Sequence, residues 1–332
     1  MSEITTLGID LAKSVMQLHG VDGRGVTVLR RQLRRAQLPR VLAQLPACTV
    51  AMEACAGAHE WGRRSQGFGH QVRLIAPQFV KPFVKGNKTD RNDAEAICEA
   101  AQRPGMRFVA LKSVAQQQVL MLHRLRAGVV KSRTALGNQL RGVLGEFGLV
   151  VAQGIGSLRR ALPELLEDGS NPLPALVREE LALQLRRLLE LDVEVRRLSG
   201  RIEALAATDE RVRGLMRRRG VGALIASAFC AEIADPNAFK NGRQVAAWLG
   251  LVPKQRSSGG STVLLGISKR GNAYLRTLLV HGARAAVRVA PRHQDPISQW
   301  IMQLKARRGV HKTTVAVANK MARQMWAELA YG

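Results

Sequence analysis

A chain of 332 residues with 46% hydrophobic content is long enough for two domains with separate cores. Its 51 lysines and arginines against 25 aspartates and glutamates give a formal net charge of +26. The like charges of such a basic globular chain repel one another unless a counter-charge is present. We therefore favour a nucleic-acid partner over a solubility or ribosome-associated adaptation. Aromatic residues make up only 4%, which favours phosphate contacts by Lys and Arg over base stacking.

Simple patterns argue against several other classes of protein. No apolar run reaches the length of a membrane span, and the N-terminal MSEITTLGID lacks the basic-then-apolar order of a signal peptide. None of the four cysteines belongs to a C-x-x-C pair, which argues against a zinc knuckle or a secreted disulfide framework. We therefore expect a soluble cytoplasmic protein with reduced thiols and no membrane contact.

Residues 1–108 alternate between strand and helix patterns, which predicts an α/β layered sheet. The predicted strands are LGID, VMQLHGV, VTVLRRQL, CTVAMEA and QVRLIAP, and a DGRG turn precedes the third. The predicted helices are LPRVLAQLP, HEWGRRSQGFG and the capped NKTDRNDAEAICEAAQR.

Residues 109–207 predict long amphipathic helices, because apolar residues recur seven positions apart. The repeats are Leu122, Val129, Leu136 and Val143 in the first helix, and Leu181, Leu188, Val195 and Ile202 in the second. Such helices can pair as a coiled coil, either as a hairpin within one chain or as a dimerisation arm. The spacing does not decide between these two arrangements.

Residues 208–332 are mostly helical in pattern and strongly basic. Two helical stretches flank RGVG, which resembles a helix-hairpin-helix whose G-x-G turn offers backbone N–H groups to a phosphate. Arg218 and Arg219 belong to the basic run at this turn. Further along, residues 254–270 are KQRSSGGSTVLLGISKR. This stretch is either a flexible basic surface loop or part of a site that contains a serine nucleophile.

Four acids stand out in a chain that is poor in acids: Asp10, Glu53, Asp90 and Asp93. The first two end predicted strands, and the other two lie one turn apart at a helix start. If the strands are neighbours, these carboxylates repel one another unless a hard cation such as Mg²⁺ or Mn²⁺ lies among them. Simpler interpretations stay open: a helix-capping pair at N-cap and N3, a turn residue or actin-like ATPase acid at Asp10, and an edge-strand charge at Glu53.

The motifs GIDLAK, AMEACAGAHEW, KTDRNDAEAI and SSGG…GISKRGNAYLR together resemble those of a known family. The chain is similar over essentially its whole length to the DEDD transposases of bacterial insertion sequences, the insertion-sequence one-ten group. The resemblance implies α/β plus α architecture: a RuvC-like (ribonuclease H-like) domain at 1–108, a coiled-coil insertion at 109–207 and a mostly helical transposase domain at 208–332. It also implies a bacterial cytoplasm and association with the nucleoid.

The resemblance further implies roles for particular residues. The D-E-D-D acids fall on Asp10, Glu53, Asp90 and Asp93 and would hold Mg²⁺ (or Mn²⁺), and the S-G motif places the nucleophile at Ser258, with Ser257 as its neighbour. We expect nucleic-acid contacts from Lys85, Lys88, Arg91, Arg218, Arg219, Lys254, Arg256, Gly259, Lys269 and Arg270. The implied partners are donor and target DNA, a structured bridge RNA and further copies of the chain in a dimer or tetramer. The implied active site is composite, joining the acids of one subunit to the serine of another.

One departure from the family pattern affects these expectations. Many members carry T-G-x-Y after the glutamate, whereas this chain has ACAGAHEW, with His59 near the position of the tyrosine. This is similar to a subgroup with an EAC…H pattern. Three other functions compete: a junction-resolving nuclease without a covalent intermediate, an RNA-binding assembly protein with a decayed nuclease domain, and an actin-like ATPase. The charge and the lack of a second Gly-rich phosphate loop in the sequence argue against the ATPase.

Overall fold

Residues 3–85 and 89–332 are described in this computed structural model. Lys88, for which we expect a phosphate contact, lies outside the described residues. The chain divides into two compact units, Met1–Ser113 and Val114–Gly332.

Six strands form one mixed sheet in the first unit, in the order β3-β2-β1-β4-β5-β6. They are β1 (Thr6–Leu11), β2 (Val15–Val21), β3 (Thr27–Arg34), β4 (Thr49–Glu53), β5 (Gln71–Ile75) and β6 (Phe108–Val109). The first three strands form an antiparallel meander, whereas β1, β4 and β5 are parallel. This mixed sheet confirms the α/β expectation and is consistent with a ribonuclease H-like domain. The sequence does not predict β6, because two residues are too few to show alternation.

Helices cover both faces of this sheet. They are α1 (Leu38–Gln44), α2 (Ala58–Gly67), α3 (Pro77–Val80) and α4 (Asp90–Gln102). Because side chains alternate along a strand, Leu7 and Met52 face one side, where they pack with Trp61 of α2. Ala51 faces the other side and packs with Ile97 of α4. Both faces are therefore buried, as is usual where parallel strands are joined by helical crossovers.

The contact between β1 and α4 is made at Gly8. A Cβ atom on Gly8 would overlap the carbonyl oxygen of Ala94 and would lie 2.8 Å from the Cβ of Cys98. The Sγ of Cys98 also lies 3.7 Å from the carbonyl oxygen of Thr6. Since Thr6 lies opposite Cys98 and Gly8 lies opposite Ala94, α4 runs antiparallel to β1. Its first turn therefore lies towards the carboxyl end of β1.

Helices and one hairpin make up the second unit. They are α5 (Val114–Glu146), α6 (Ile155–Glu167), α7 (Ala175–Thr208), α8 (Glu210–Met216), α9 (Ala223–Glu232), α10 (Gly242–Trp248), β7 (Pro253–Ser258), β8 (Ser261–Ile267), α11 (Ala273–Val289) and α12 (Pro296–Tyr331). The helices α5, α6 and α7 share an apolar core that contains Leu136, Leu158 and Leu188. The structure thus pairs the two long helices within one chain. The coiled coil and the dimerisation arm stay predictions.

His123 of α5 connects this helical pair to the C-terminal helices. Its Nδ1 lies 2.9 Å from the hydroxyl of Tyr274 on α11, and its Nε2 lies 3.0 Å from Oγ of Ser227 on α9. Burial lowers the pKa of His123 to about 4, so the ring is neutral at neutral pH and bridges two hydroxyl groups. The predicted boundary at residue 207 therefore lies inside one compact unit, and the three-domain division stays a prediction.

The C-terminal core is built from α8 to α12 around Phe229, Leu279 and Met325. The last helix is interrupted at Gly309, whose φ is 73°. Within residues 3–85 and 89–332, no helix is long and apolar enough to cross a membrane.

We expect Gly8→Ala to lower the thermal unfolding temperature, because the added methyl group pushes α4 away from β1. Overpacking of this kind costs roughly 1–3 kcal/mol of unfolding free energy. Gly67→Ala is the matched control, since a Cβ at Gly67 meets nothing within 4 Å. Calorimetry of the two variants checks the expectation, and equal unfolding temperatures would contradict it.

Candidate active site

The parallel register of β1 and β4 brings two of the four acids together. Ile9 pairs with Met52, so the next residues along the two strands, Asp10 and Glu53, are neighbours at the carboxyl ends. Strand alternation sends both side chains to the face that α4 covers, because Gly8 and Ala51 lie on that face. Both residues are half-buried. The sequence-based expectation of neighbouring strand ends is confirmed.

Cys55 lies just beyond Glu53, and the charges of both Glu53 and Asp10 act on its thiol. Loss of water around its sulfur, followed by the negative charges of Glu53 and Asp10, raises the pKa of the thiol. The two carboxylates therefore act on one small region at the end of β4. The thiol is kept protonated at neutral pH, since its ordinary pKa is already above 7.

The first turn of α4 carries the other two acids. Thr89 is the N-cap, and its side-chain oxygen accepts a hydrogen bond from the backbone N–H of Asn92 at 3.3 Å. Asp90 and Asp93 follow inside the helix, so the interpretation of this pair as N-cap and N3 is wrong. The reason is that the threonine one position earlier takes the capping role. Because α4 runs antiparallel to β1, these two acids lie towards the edge that holds Asp10.

The donor chemistry at this edge fits a hard divalent cation. Carboxylate oxygens are the preferred ligands of Mg²⁺ and Mn²⁺, and Asp10 and Glu53 supply them side by side. Across the described part of the chain, no three His, Cys, Asp or Glu side chains are close enough to hold a metal ion together. The structure thus brings together one pair of acids and places the other pair at the same edge, without closing the four into one cluster.

Arg35, which the sequence analysis did not single out, joins the two loops that follow these strands. Its Nη1 donates a hydrogen bond to the carbonyl oxygen of Ala12 at 3.2 Å, just after β1. Its guanidinium group lies 5.3 Å from the ring centroid of Trp61, and its Nη2 approaches Gly57 in the loop after β4. The contact joins residues far apart in the chain, so no local pattern could have revealed it.

The cations expected near the acids differ in their surroundings. The Nζ of Lys85 lies 2.9 Å from a carboxylate oxygen of Glu99, and this hydrogen bond raises the pKa of Lys85. Arg91 is exposed in the first turn of α4. A phosphate at this edge would therefore meet Arg91 directly, whereas at Lys85 it would compete with the carboxylate of Glu99.

The predicted serine site is the tip of the β7–β8 hairpin, rather than the irregular loop that its Gly and Ser content suggests. A two-residue turn of Gly259 and Gly260 joins the strands, and both residues have positive φ, 54° and 78°. Such a turn strongly favours glycine. Ser258 pairs with Ser261 directly below the turn. All side chains of the hairpin except Ile267 are exposed.

The hairpin distinguishes the two adjacent serines. The Oγ of Ser257 accepts a hydrogen bond from Nε2 of Gln255 at 2.6 Å and lies 3.3 Å from Oγ1 of Thr262. The Oγ of Ser258 makes no hydrogen bond to any residue that the structure describes. Strand alternation also puts Arg256 on the same face of β7 as Ser258, and Lys254 lies two residues further from the tip.

Backbone packing anchors the base of the hairpin. A Cβ atom on Gly271 would overlap the carbonyl oxygen of Trp248, and one on Gly250 would overlap the backbone of Arg270. Lys269 has a φ of 54°, in the left-handed region. The exposed tip with its serine therefore stands on a base that is fixed to the helical core.

The helix-hairpin-helix-like turn contains different contacts from those expected. The guanidinium of Arg218 pairs with Glu328, with Nε 2.7 Å from Oε2, and that of Arg219 pairs with Asp295 at 2.8 Å. A phosphate would compete with these carboxylates for either guanidinium. Gly220, with a φ of 79°, packs against the backbone of Gly282, which gives a structural reason for this glycine. The helix-hairpin-helix role stays a prediction.

Two transposase family models match the chain. A DEDD transposase model matches residues 7–148, and a model described as transposase of the IS116/IS110/IS902 family matches residues 212–298. The first range contains all four acids, and the second contains the serine hairpin. A mixed sheet that is consistent with a ribonuclease H-like domain, together with these two family matches, identifies a DNA transposase.

Relatives similar over their whole length agree with these matches. A probable family 20 transposase of Pseudomonas aeruginosa is 49% identical, covering 98% of this chain and 97% of the relative. The transposase for insertion sequence element IS1111A of Coxiella burnetii is 44% identical, covering 99% and 90%. The transposase for IS1328 of Yersinia enterocolitica is 39% identical, covering 100% and 98%. The chain belongs to the IS110 family of transposases, and the resemblance seen in its motifs is confirmed.

Proposed function

We propose that this transposase cuts and rejoins DNA through a covalent serine–phosphate intermediate formed by Ser258. The observation that carries the proposal is the position of this serine: an exposed hydroxyl beside a tight two-residue turn, with no competing hydrogen bond in the described structure. To attack, the serine oxygen must reach a phosphorus atom in the backbone of a DNA duplex, where the neighbouring sugars and phosphates hinder its approach. A two-residue glycine turn offers the least steric hindrance to that approach.

The step is a transesterification. The Oγ of Ser258 forms a bond to phosphorus, the bond from phosphorus to the 3′ oxygen breaks, the serine loses its proton, and the departing 3′ oxygen gains one. One phosphodiester replaces another, so the exchange needs no water and no external energy source. Attack by the 3′ hydroxyl of a different strand reverses the step and rejoins the DNA. A serine hydroxyl needs activation for this chemistry.

The four acids would provide a site for that activation. Asp10 and Glu53, adjacent at the strand ends, would supply the first carboxylate ligands to Mg²⁺ or Mn²⁺, and Asp90 and Asp93 would complete the set. Such an ion, when bound, lowers the pKa of a nucleophilic hydroxyl and offsets the charge that develops on the phosphate. Arg35 contacts the loops that follow β1 and β4, and it would hold these two loops in place when the substrate phosphate binds.

Basic residues around the serine would position the substrate. Arg256 and Lys254 lie along the strand that ends at Ser258, and Gly259 allows the backbone of the turn to approach the duplex. Lys269 and Arg270 follow the hairpin at its base. These side chains would contact phosphates and fix the register without reading the base sequence.

We further propose that a structured bridge RNA selects the donor and target DNA, and that the chain acts as a dimer or tetramer with a composite active site. The support is the family resemblance, together with the net charge of +26, which favours polyanionic partners. RNA that copurifies from cells carrying the native locus should contain one dominant structured species from the flank of the element. Sequencing checks this expectation, and a mixture that mirrors total cellular RNA would contradict it.

We expect Ser258→Ala to abolish strand cleavage and the covalent protein–DNA adduct while leaving DNA binding near that of the wild type, because only the attacking oxygen is removed. Ser257→Ala is the matched control and should retain the adduct, since the Oγ of Ser257 is already engaged within the hairpin. Denaturing gels of the reaction with labelled DNA measure both. Cleavage by Ser258→Ala without an adduct would instead indicate a junction-resolving nuclease.

We expect Asp10→Asn to remove cleavage that depends on Mg²⁺, because one of the two adjacent carboxylates is lost. Glu3→Gln, which changes an exposed acid of the same unit, should cleave at the wild-type rate. The measurement is the cleavage rate over a titration of Mg²⁺ and of Mn²⁺. An unchanged titration curve for Asp10→Asn would show that this acid does not hold the metal.

A further inference from the structure

A cleft of about 990 Å³ lies in the second unit, beside the base of the serine hairpin. Its walls come from α10, from α12 and from the two ends of the hairpin, Pro253 and Ile267. The size is at the upper end of the range for sites that enclose a small molecule, roughly 300–1,000 Å³. This volume is large enough for a nucleotide with its neighbouring phosphates.

Four cations line this cleft: Arg243, Lys312, Lys320 and Arg323. No aspartate or glutamate lines it, and none of the four has an ion pair within the described parts of the chain. Elsewhere in this unit, basic side chains such as Arg218 and Arg219 do find carboxylates. A cluster of like charges without counter-charges raises the local positive potential and attracts anions.

Apolar residues make up much of the remaining lining, beside Asn241, Asn319 and Gln324. Leu251 and Trp326 are buried and form its apolar floor, and Val315 and Ala327 are half-buried beside them. A free phosphate would leave this surface uncovered, so the chemistry fits an anion that also carries an apolar, flat group. A nucleotide with an unstacked base has both properties.

Trp300 offers the base a partner for stacking. The Nζ of Lys320 lies 4.2 Å from the centroid of its ring, so one cleft wall combines an aromatic ring with a cation. The two residues lie on either side of the break at Gly309 in α12. Although the low aromatic content argues against an extended stacking platform, one ring is enough for one base.

We propose that this cleft binds a single-stranded segment of nucleic acid, with one unstacked base between the apolar floor and Trp300 and its phosphates on the four cations. Intact duplex would present only phosphates, because its bases remain stacked inside. Five residue steps separate Pro253 at the cleft from Ser258 at the tip, which is about 16 Å in a strand. That length corresponds to roughly five nucleotide steps of a stacked strand, so the bound base lies near the phosphate that the serine attacks.

This proposal extends the nucleic-acid chemistry proposed above, but binding in the cleft does not need Ser258. All measurements can be repeated in Ser258→Ala, where a loss of cleavage and a loss of cleft binding are separate results. The probe is a fluorescein-labelled oligothymidine of about twelve nucleotides, compared with a blunt duplex of the same length, and fluorescence anisotropy gives the affinity over a salt series with the full chain.

Two variants test the two halves of the cleft. Arg243→Ala/Lys312→Ala should lower the affinity for the single strand at least about tenfold and reduce the salt slope by about 1.4, since each lost phosphate contact contributes about 0.7. Trp300→Leu should also lower that affinity about tenfold, but with an unchanged salt slope, because it removes no charge. Arg284→Ala/Arg288→Ala, which removes two exposed cations of α11, is the charge-matched control and should keep the wild-type single-strand affinity.

The outcomes separate the proposal from its competitors. A selective loss of single-strand affinity in both cleft variants, with duplex affinity within about threefold of wild type, supports it. Equal losses in the cleft and control double variants would show a general charge effect and overturn it. A full single-strand affinity in Trp300→Leu would also overturn it. So would cleft variants that keep their single-strand affinity but change their oligomeric mass in light scattering, since the cleft would then hold a second copy of the chain. Trp300→Phe, which keeps an aromatic ring, should restore binding.

Discussion

The close packing of β1 on α4 determines the geometry of the first unit. At Gly8 the strand backbone lies directly against Ala94 and Cys98, with no room for a side chain. This contact fixes how far α4 lies from the sheet and along which direction it runs. The edge that carries Asp10 and Glu53 depends on it, because the same helix delivers the other two acids. The absence of a side chain at Gly8 therefore sets the distance between β1 and α4 at the candidate site, which begins two residues later at Asp10.

Close backbone packing at glycines also occurs in the second unit, where it anchors the serine hairpin. Gly220 lies against Gly282, and Gly250 and Gly271 bring the base of the hairpin against the helical core. Backbone-to-backbone contacts cannot yield as flexible side chains do, so the hairpin is anchored firmly although its strands are exposed. A firmly anchored base would suit the proposed nucleophile Ser258, because small misplacements of a reacting atom are costly in rate.

Much of the first unit follows from local patterns in the sequence. Five strands, the helices α1, α2 and α4, and the adjacency of Asp10 and Glu53 could be predicted, because strand period and crossover geometry are local. What could not be predicted depends on contacts between distant residues: the bridge made by Arg35, the ion pairs of Arg218 and Arg219, and the cleft at α10 and α12. The cap at Thr89 was missed for another reason, since Asp90 next to it is an equally good capping residue.

The Thr89 cap has a consequence for how the acids are tolerated. With the cap satisfied by the threonine, Asp90 and Asp93 occupy the first turn of α4, where the positive end of the helix dipole favours negative charge. Half of the acidic set is therefore stabilised by the fold itself. If this edge holds the proposed cation, the helix dipole would let the chain assemble it before the ion binds, unlike in small domains whose folding requires the ion.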